Sequence, residues 1–132
     1  MSSIYPRNWL CKVEYHRRPG ELYLTRYVGF RCKWFGLYIH KFHVSDYPVP
    51  HDHPWVFLTL PLRGGYWEHF PDGTYKWRGV GIPAFRTARE FHWIDIPAGT
   101  NVWTFFMHGP KQREWGFMTD KGWINADQYQ PE

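Results

Sequence analysis

Glycine and proline break this sequence too often for long helices. The 132 residues hold 12 Gly and 11 Pro, spread so that few windows could contain three helical turns. Between these breaks, runs rich in aromatic and β-branched residues recur. They predict strands at 21–30, 34–43, 55–62, 65–70, 74–79, 84–85, 91–96, 102–108 and 114–119. Turn signals separate them at Arg18-Pro19-Gly20, Arg63-Gly64-Gly65, Pro71-Asp72-Gly73, Pro97-Ala98-Gly99 and His108-Gly109-Pro110. Of these, Pro71-Asp72-Gly73 between aromatic runs is the clearest hairpin signal. Many short strands at even spacing predict an all-β sandwich or barrel. The one helical element expected is a short turn at 126–129. No repeat, low-complexity tract or linker interrupts the chain, so one domain over 1–132 is expected. Its barrel core should cover about 21–120, with short extensions at both ends.

Composition narrows the class. Hydrophobic residues make up 43%, which argues against disorder. No apolar run reaches the ~18 residues of a membrane span. The first residues lack the apolar stretch of a secretory signal, so a cytoplasmic location is expected, with Cys11 and Cys32 as free thiols. The net charge of +4 comes from scattered Lys and Arg, so a soluble basic surface is favoured over a nucleic-acid face. Aromatic residues reach 21%. They sit mostly in the strand-like runs, where packing is their simplest use. Their number also predicts a homodimer, because one small barrel has little room to hide them and leaves edge strands unpaired.

The most chemical segment is His51-Asp52-His53-Pro54-Trp55. In extended chain, residues i and i+2 face the same side, so His51 and His53 can aim two imidazoles at one ion. Pro50 and Pro54 restrict the backbone around them. A third histidine, His92, opens another alternating run about forty residues later.

These residues resemble the first and second cupin motifs. The first pairs two histidines one residue apart with a following glutamate and a glycine at the next turn. Here His51, His53 and Gly64 fill their places, while Phe57 stands where the glutamate would be and the leading glycine is missing. More broadly, the chain resembles a family of small cupins of bacteria and their phages, sometimes labelled cysteine-dioxygenase-like. The likeness rests on Tyr38 to His43, Ser45-Asp46, the segment at His51, Gly64 to Glu68, Phe85-Arg86, His92, Gly109-Pro110, Arg113 to Phe117, and Gly122-Trp123. It differs at Val56, often acidic in the family, and at Thr87, often proline. Aligning Pro97-Ala98-Gly99 with the second motif instead would put Val102 in the histidine place. His92 is preferred because Arg86 before it and the stretch from Arg113 after it both fall at family spacing.

The resemblance implies a cupin-type double-stranded β-helix, a jelly-roll barrel with little helix. It implies one divalent metal ion, Fe, Ni, Zn or Mn, held by His51, His53 and His92. Binding should weaken below about pH 6, where free imidazole protonates. Four more residues are candidates for substrate binding: His40, His43, Tyr66 and Arg86. His40 and His43 have opposite strand parity, so both cannot face one cavity without a bulge. Either can equally be a packed or surface histidine. Tyr66 is a proton donor at the cavity mouth or a core tyrosine. Arg86 clamps a substrate carboxylate or phosphate, or pairs with an acid of the protein. His69 is expected to be exposed, and His16 and His108 to lie in loops. Trp115 and Trp123 read as core or interface anchors.

Two functional classes follow. One is a mononuclear metal-dependent enzyme, dioxygenase-like, acting on a small polar molecule. The other is a non-enzymatic cupin that sequesters or senses a small ligand such as a nucleotide or sugar, possible in a phage setting. A structural dimeric module is a third reading. No G-x-S-x-G elbow and no phosphate-cradling glycine loop is present.

Overall fold

The computed structural model describes residues 8–129. Among the described residues eleven strands are formed: β1 (Trp9–Arg18), β2 (Glu21–Arg31), β3 (Gly36–Phe42), β4 (Phe57–Arg63), β5 (Tyr66–His69), β6 (Tyr75–Arg78), β7 (Ala84–Arg86), β8 (Trp93–Asp95), β9 (Val102–His108), β10 (Gly116–Thr119) and β11 (Gly122–Asn125). A 3₁₀ turn at Ala126–Gln128 follows, capped by the Asn125 side chain. Six strands form one antiparallel sheet in the order β1-β2-β3-β9-β4-β7. β6-β5-β8 form a second sheet and β10-β11 a third. Isolated bridges from His51 to His92 and from His51 to Phe117 stitch the two small sheets into one wall. His51 is therefore a backbone seam as well as a candidate ligand.

The barrel interior follows from strand alternation. On β3, Gly36, Tyr38, His40 and Phe42 are buried while the residues between them are only partly so. β9 does the same with Val102, Thr104 and Phe106. One apolar cluster joins Leu24, Phe42, Tyr66, Ile96 and Val102 across both walls. A second joins Val28, Tyr38, Phe57 and Phe106. Val102, which the alternative motif alignment would place at the metal, is instead sealed in the first cluster.

Three expectations are corrected. The stretch before residue 21 is not an extension but the ten-residue β1, and His16 lies on it, paired with Leu22. Period-two alternation is present there, with Cys11, Val13 and Tyr15 packing on the core. It is muted because an edge strand buries few of its residues completely. β11 also went unpredicted; it pairs with β10 through a turn at Gly122, whose φ is 103°. The run at 91–96 shortens to three residues, because His92 is spent on the bridge to His51. Both cysteines are free thiols.

Gly36 shows how tightly the inner face is fitted. A Cβ there would lie 2.4 Å from Tyr38 Oη and 2.5 Å from His108 Nε2, which share a 2.8 Å hydrogen bond. Gly36→Ala should therefore cost about 1–3 kcal/mol of stability. Urea unfolding followed by tryptophan fluorescence should show the lowered midpoint with an unchanged slope; an unaltered midpoint would mean that Tyr38 is free to move aside.

Candidate metal centre

His51, Asp52 and His53 lie between β3 and β4 in extended chain outside a regular strand. Backbone bonds on both sides fix them. His51 N–H donates to His92 O at 2.9 Å, and His92 N–H returns to His51 O at 3.1 Å. His53 N–H donates to Ala88 O at 3.1 Å, and Asp52 N–H to Gly116 O at 3.1 Å. Asp52 points the opposite way from its neighbours and is fully buried. Its carboxylate accepts from Gly116 N–H at 2.7 Å and Trp123 Nε1 at 3.2 Å, and it pairs with Arg113. The aspartate between the histidines thus anchors their segment to β10 and β11.

The three imidazoles converge. One ring nitrogen from each of His51, His53 and His92 lies within 4.8 Å of the other two. Ring centroids stand 5.0 Å apart for His51 and His53, 5.1 Å for His51 and His92, and 4.9 Å for His53 and His92. Burial lowers the His51 pKa to about 4, and the neighbouring His92 adds to the shift. Burial also drives His53 well below its ordinary value, helped by His92 and His51. Nδ1 of His53 is buried without a partner. Neutral imidazoles with free nitrogens are the donors a first-row ion needs, so these residues fit a metal.

Glu68 on β5 organises the third histidine. Its carboxylate, 1% exposed, meets His92 Nδ1 at 2.5 Å. Arg86 donates to it through Nε at 2.9 Å and a terminal nitrogen at 2.6 Å, and Arg78 through Nε at 2.7 Å. Burial opposes the charge, but the His92 and Arg86 hydrogen bonds outweigh it and hold the carboxyl well below the usual range. With Nδ1 of His92 donating to Glu68, Nε2 is left as the ligand atom. Carboxylate–histidine pairs orient ligands in this way at metal sites.

A cavity of about 410 Å³ opens beside the group. Trp55, Phe57, Phe106, Leu24 and Phe42 supply apolar walls, and Tyr15, Arg26, His40, Asp46 and Thr59 supply polar points. Phe57, at the place of the missing motif glutamate, lies 4.4 Å from the His53 ring. Tyr23 Oη donates to Asp46, which also accepts Ile94 N–H at 2.8 Å. Burial first, then Asp46, keeps the Tyr23 phenol protonated.

Of the four candidate substrate residues, only His40 lines this cavity. His43 turns to the other side of β3 and bonds Thr25 Oγ1 at 2.8 Å, as its parity requires. Tyr66 is 2% exposed within the core cluster, not at a mouth. Arg86 is committed to Glu68. His69 is half-buried, stacked on Trp93 at 3.9 Å rather than exposed. His108 closes β9, bonded to Tyr38 and stacked on Trp55 at 4.2 Å. Sequence reasoning passed over Glu68, Asp52, Arg26 and the Tyr23–Asp46 pair. Glu68 stood in a matched stretch, and strand parity with Tyr66 would have placed it inside.

No protein-family profile matches the sequence, and no curated protein does. Solved structures match the fold. The polyketide cyclase RemF from Streptomyces resistomycificus aligns at a TM-score of 0.65 and 17% identity, over 90% of this chain and 86% of that one. An RmlC-like cupin from Shewanella frigidimarina aligns at 0.59 and 16%, over 77% and 86%. A double-stranded β-helix protein from Klebsiella pneumoniae aligns at 0.59 and 16%, over 76% and 88%. The chain has the cupin fold. The likeness in fold extends to an iron(II) protein. Iron(II) HppE aligns at 0.59 and 13% identity over 74% of this chain and 56% of its own. Among the described residues no helix is long and apolar enough to cross a membrane.

The depressed histidines make stability depend on pH. A group whose pKa falls on folding stabilises fully above its unfolded value and loses that contribution as pH drops toward the folded one. For His51 that window runs from 6.5 to about 4; His53 and His40 act with the same sign. Metal-free protein should therefore lose stability steadily from pH 6.5 downward. Urea midpoints measured in chelator-containing buffers check this. A flat profile down to pH 5 would mean that the rings are solvated.

Proposed function

We propose that this cupin holds one divalent first-row metal through His51, His53 and His92, and that it is a mononuclear metal-dependent enzyme acting on a small polar molecule, with dioxygenase-like oxidation as the favoured class. The observation that carries this reading is the convergence of three imidazoles on the wall of a cavity large enough for a small molecule. When bound, the ion supplies a Lewis acid with open positions for substrate, and a redox-active ion such as iron adds the electron transfer an oxidation needs.

The chain's own residues do the rest. Glu68 fixes the tautomer and ring angle of His92. Asp52 holds the segment that presents His51 and His53. Trp55, Phe57 and Phe106 exclude water from one side of the cavity. Tyr23, kept protonated and bonded to Asp46, holds a proton inside the cavity at its phenol oxygen.

Protein purified without a nickel column should contain, or take up, one metal equivalent by elemental analysis and cobalt(II) titration. His51→Ala, His53→Ala and His92→Ala should each abolish uptake. Glu68→Gln should weaken it about 10–100-fold. Because the His51 pKa lies near 4, uptake should persist below the pH 6 expected for free imidazole and fail toward pH 4. Wild-type affinity in His92→Ala would sink the three-histidine site. Dioxygen uptake by iron-loaded protein, screened over pools of small polar molecules, tests the enzymatic half; metal binding without turnover would leave a ligand-binding cupin.

We further propose a homodimer. Trp9 and Phe30 pair across β1 and β2, and Phe30 packs on Phe35 at 5.6 Å. All three are exposed beside the sheet edge. Light scattering should report about twice the 16.0 kDa chain mass; a monomer at micromolar concentration would refute it.

A further inference from the structure

The inner face of the six-stranded sheet carries one polar row between apolar ones. Arg26 on β2 stands opposite His40 on β3, and His40 stands opposite Thr104 on β9. Residues directly opposite in an antiparallel sheet share a face. The next row on one side is Leu24, Phe42 and Val102; on the other it is Val28, Tyr38 and Phe106. A charged residue is unexpected between such rows.

The row is also incompletely satisfied. Arg26 Nε donates to His40 Nε2 at 3.0 Å, and a terminal nitrogen reaches Tyr15 Oη at 3.4 Å. A guanidinium has five N–H donors, so three are left without a protein acceptor among the described residues. The guanidinium lies over the rings of Tyr38, at 4.4 Å, and Tyr15, at 5.2 Å. No carboxylate is within ion-pair distance of it among the described residues. Asp46, the one acid lining the cavity among the described residues, is taken by Tyr23 and Ile94. His40, 3% exposed, accepts at Nε2 and so carries its proton on Nδ1, which has no partner. Thr104 Oγ1, fully buried opposite it, has none either. A half-buried cation without a counter-ion, beside two orphaned polar atoms, is costly unless something outside the chain completes it.

Arg26 and His40 line the same cavity as the three metal-centre histidines. His40 stacks on Phe106 at 4.7 Å, Phe106 on Phe57 at 5.1 Å, and Phe57 lies 4.4 Å from His53. Two phenyl rings thus separate the polar row from the metal group. We propose that Arg26, positioned by His40, is an anion subsite that pairs with the carboxylate of a small ligand whose other polar end reaches His51, His53 and His92. The guanidinium edge matches two carboxylate oxygens. A monoanion balances its single charge, whereas a phosphate dianion would bring an uncompensated charge into a mostly apolar cavity. The far end of this ligand rests on the metal reading above; the subsite does not.

Isothermal titration separates the two. The probes are short linear hydroxy-carboxylates and their primary amides, titrated into both metal-free and cobalt-loaded protein. The carboxylates should bind about tenfold or more tighter than the amides in both forms. Arg26→Gln should erase that preference, and His40→Phe, which keeps the stacking but not the acceptor, should reduce it. Arg26→Lys retains the charge without the fork and should lower the preference several-fold, which decides the matter if the glutamine variant does not fold. A preference seen only with cobalt and surviving Arg26→Gln would mean that the carboxylate sits on the metal, overturning the subsite. So would an unchanged preference in Arg26→Lys, or no binding of carboxylates in either form. A preference in metal-free protein, lost in Arg26→Gln, upholds the subsite even if the protein takes up no metal at all.

Discussion

The buried carboxylate of Glu68 is the interaction on which the rest of the structure depends. It brings Arg78 of β6, Arg86 of β7 and His92 before β8 to one point. β7 is the edge of the large sheet and β6 the edge of the second sheet, so one side chain ties the two walls. An isolated buried carboxylate would be prohibitively costly, and here two guanidinium groups and an imidazole repay the desolvation. The same geometry leaves His92 a single free nitrogen. Wall closure and ligand orientation therefore rest on one ionised group.

A second buried acid performs the matching task at the other end of the site. Asp52 ties its segment to β10, to Trp123 of β11 and to Arg113. Arg113 also reaches Ala88 O at 3.3 Å, the carbonyl that His53 N–H uses. The three clustered histidines are thereby held by charge and backbone pairing, while the aromatic residues around them shape the cavity. The stretch from Arg113 to Phe117 is thus the anchor of the two histidines.

Much of this was legible in the sequence, for identifiable reasons. Strand periodicity and turn residues mark nine of the eleven strands, because half-buried strands alternate in polarity. β1 escaped because an edge strand seldom buries a residue fully, and β11 because four residues are too few to show a period. The three histidines were legible by spacing and resemblance. Their supports were less so. Glu68, Asp52 and Arg26 look like surface charges in a linear reading, and only the register shows them inside. His40 and His43 were separable in principle by parity, and the structure separates them that way. Arg86 was read with two possible partners, and Glu68 took it because the two strands that carry them meet across the wall.

The alternation at His51-Asp52-His53 has a further consequence. Three successive residues serve two opposite sides: the outer two face the cavity and the middle one is clamped to β10 and β11. Substitutions here would damage one role at a time. Inserting or deleting a single residue would exchange the roles outright, sending an acid toward the histidine cluster and an imidazole toward Arg113. Natural variants of this barrel should thus tolerate changes of residue in the segment far better than changes of length, and loop-length drift should collect instead at turns such as Gly73 and Gly99, where an added side chain would meet nothing.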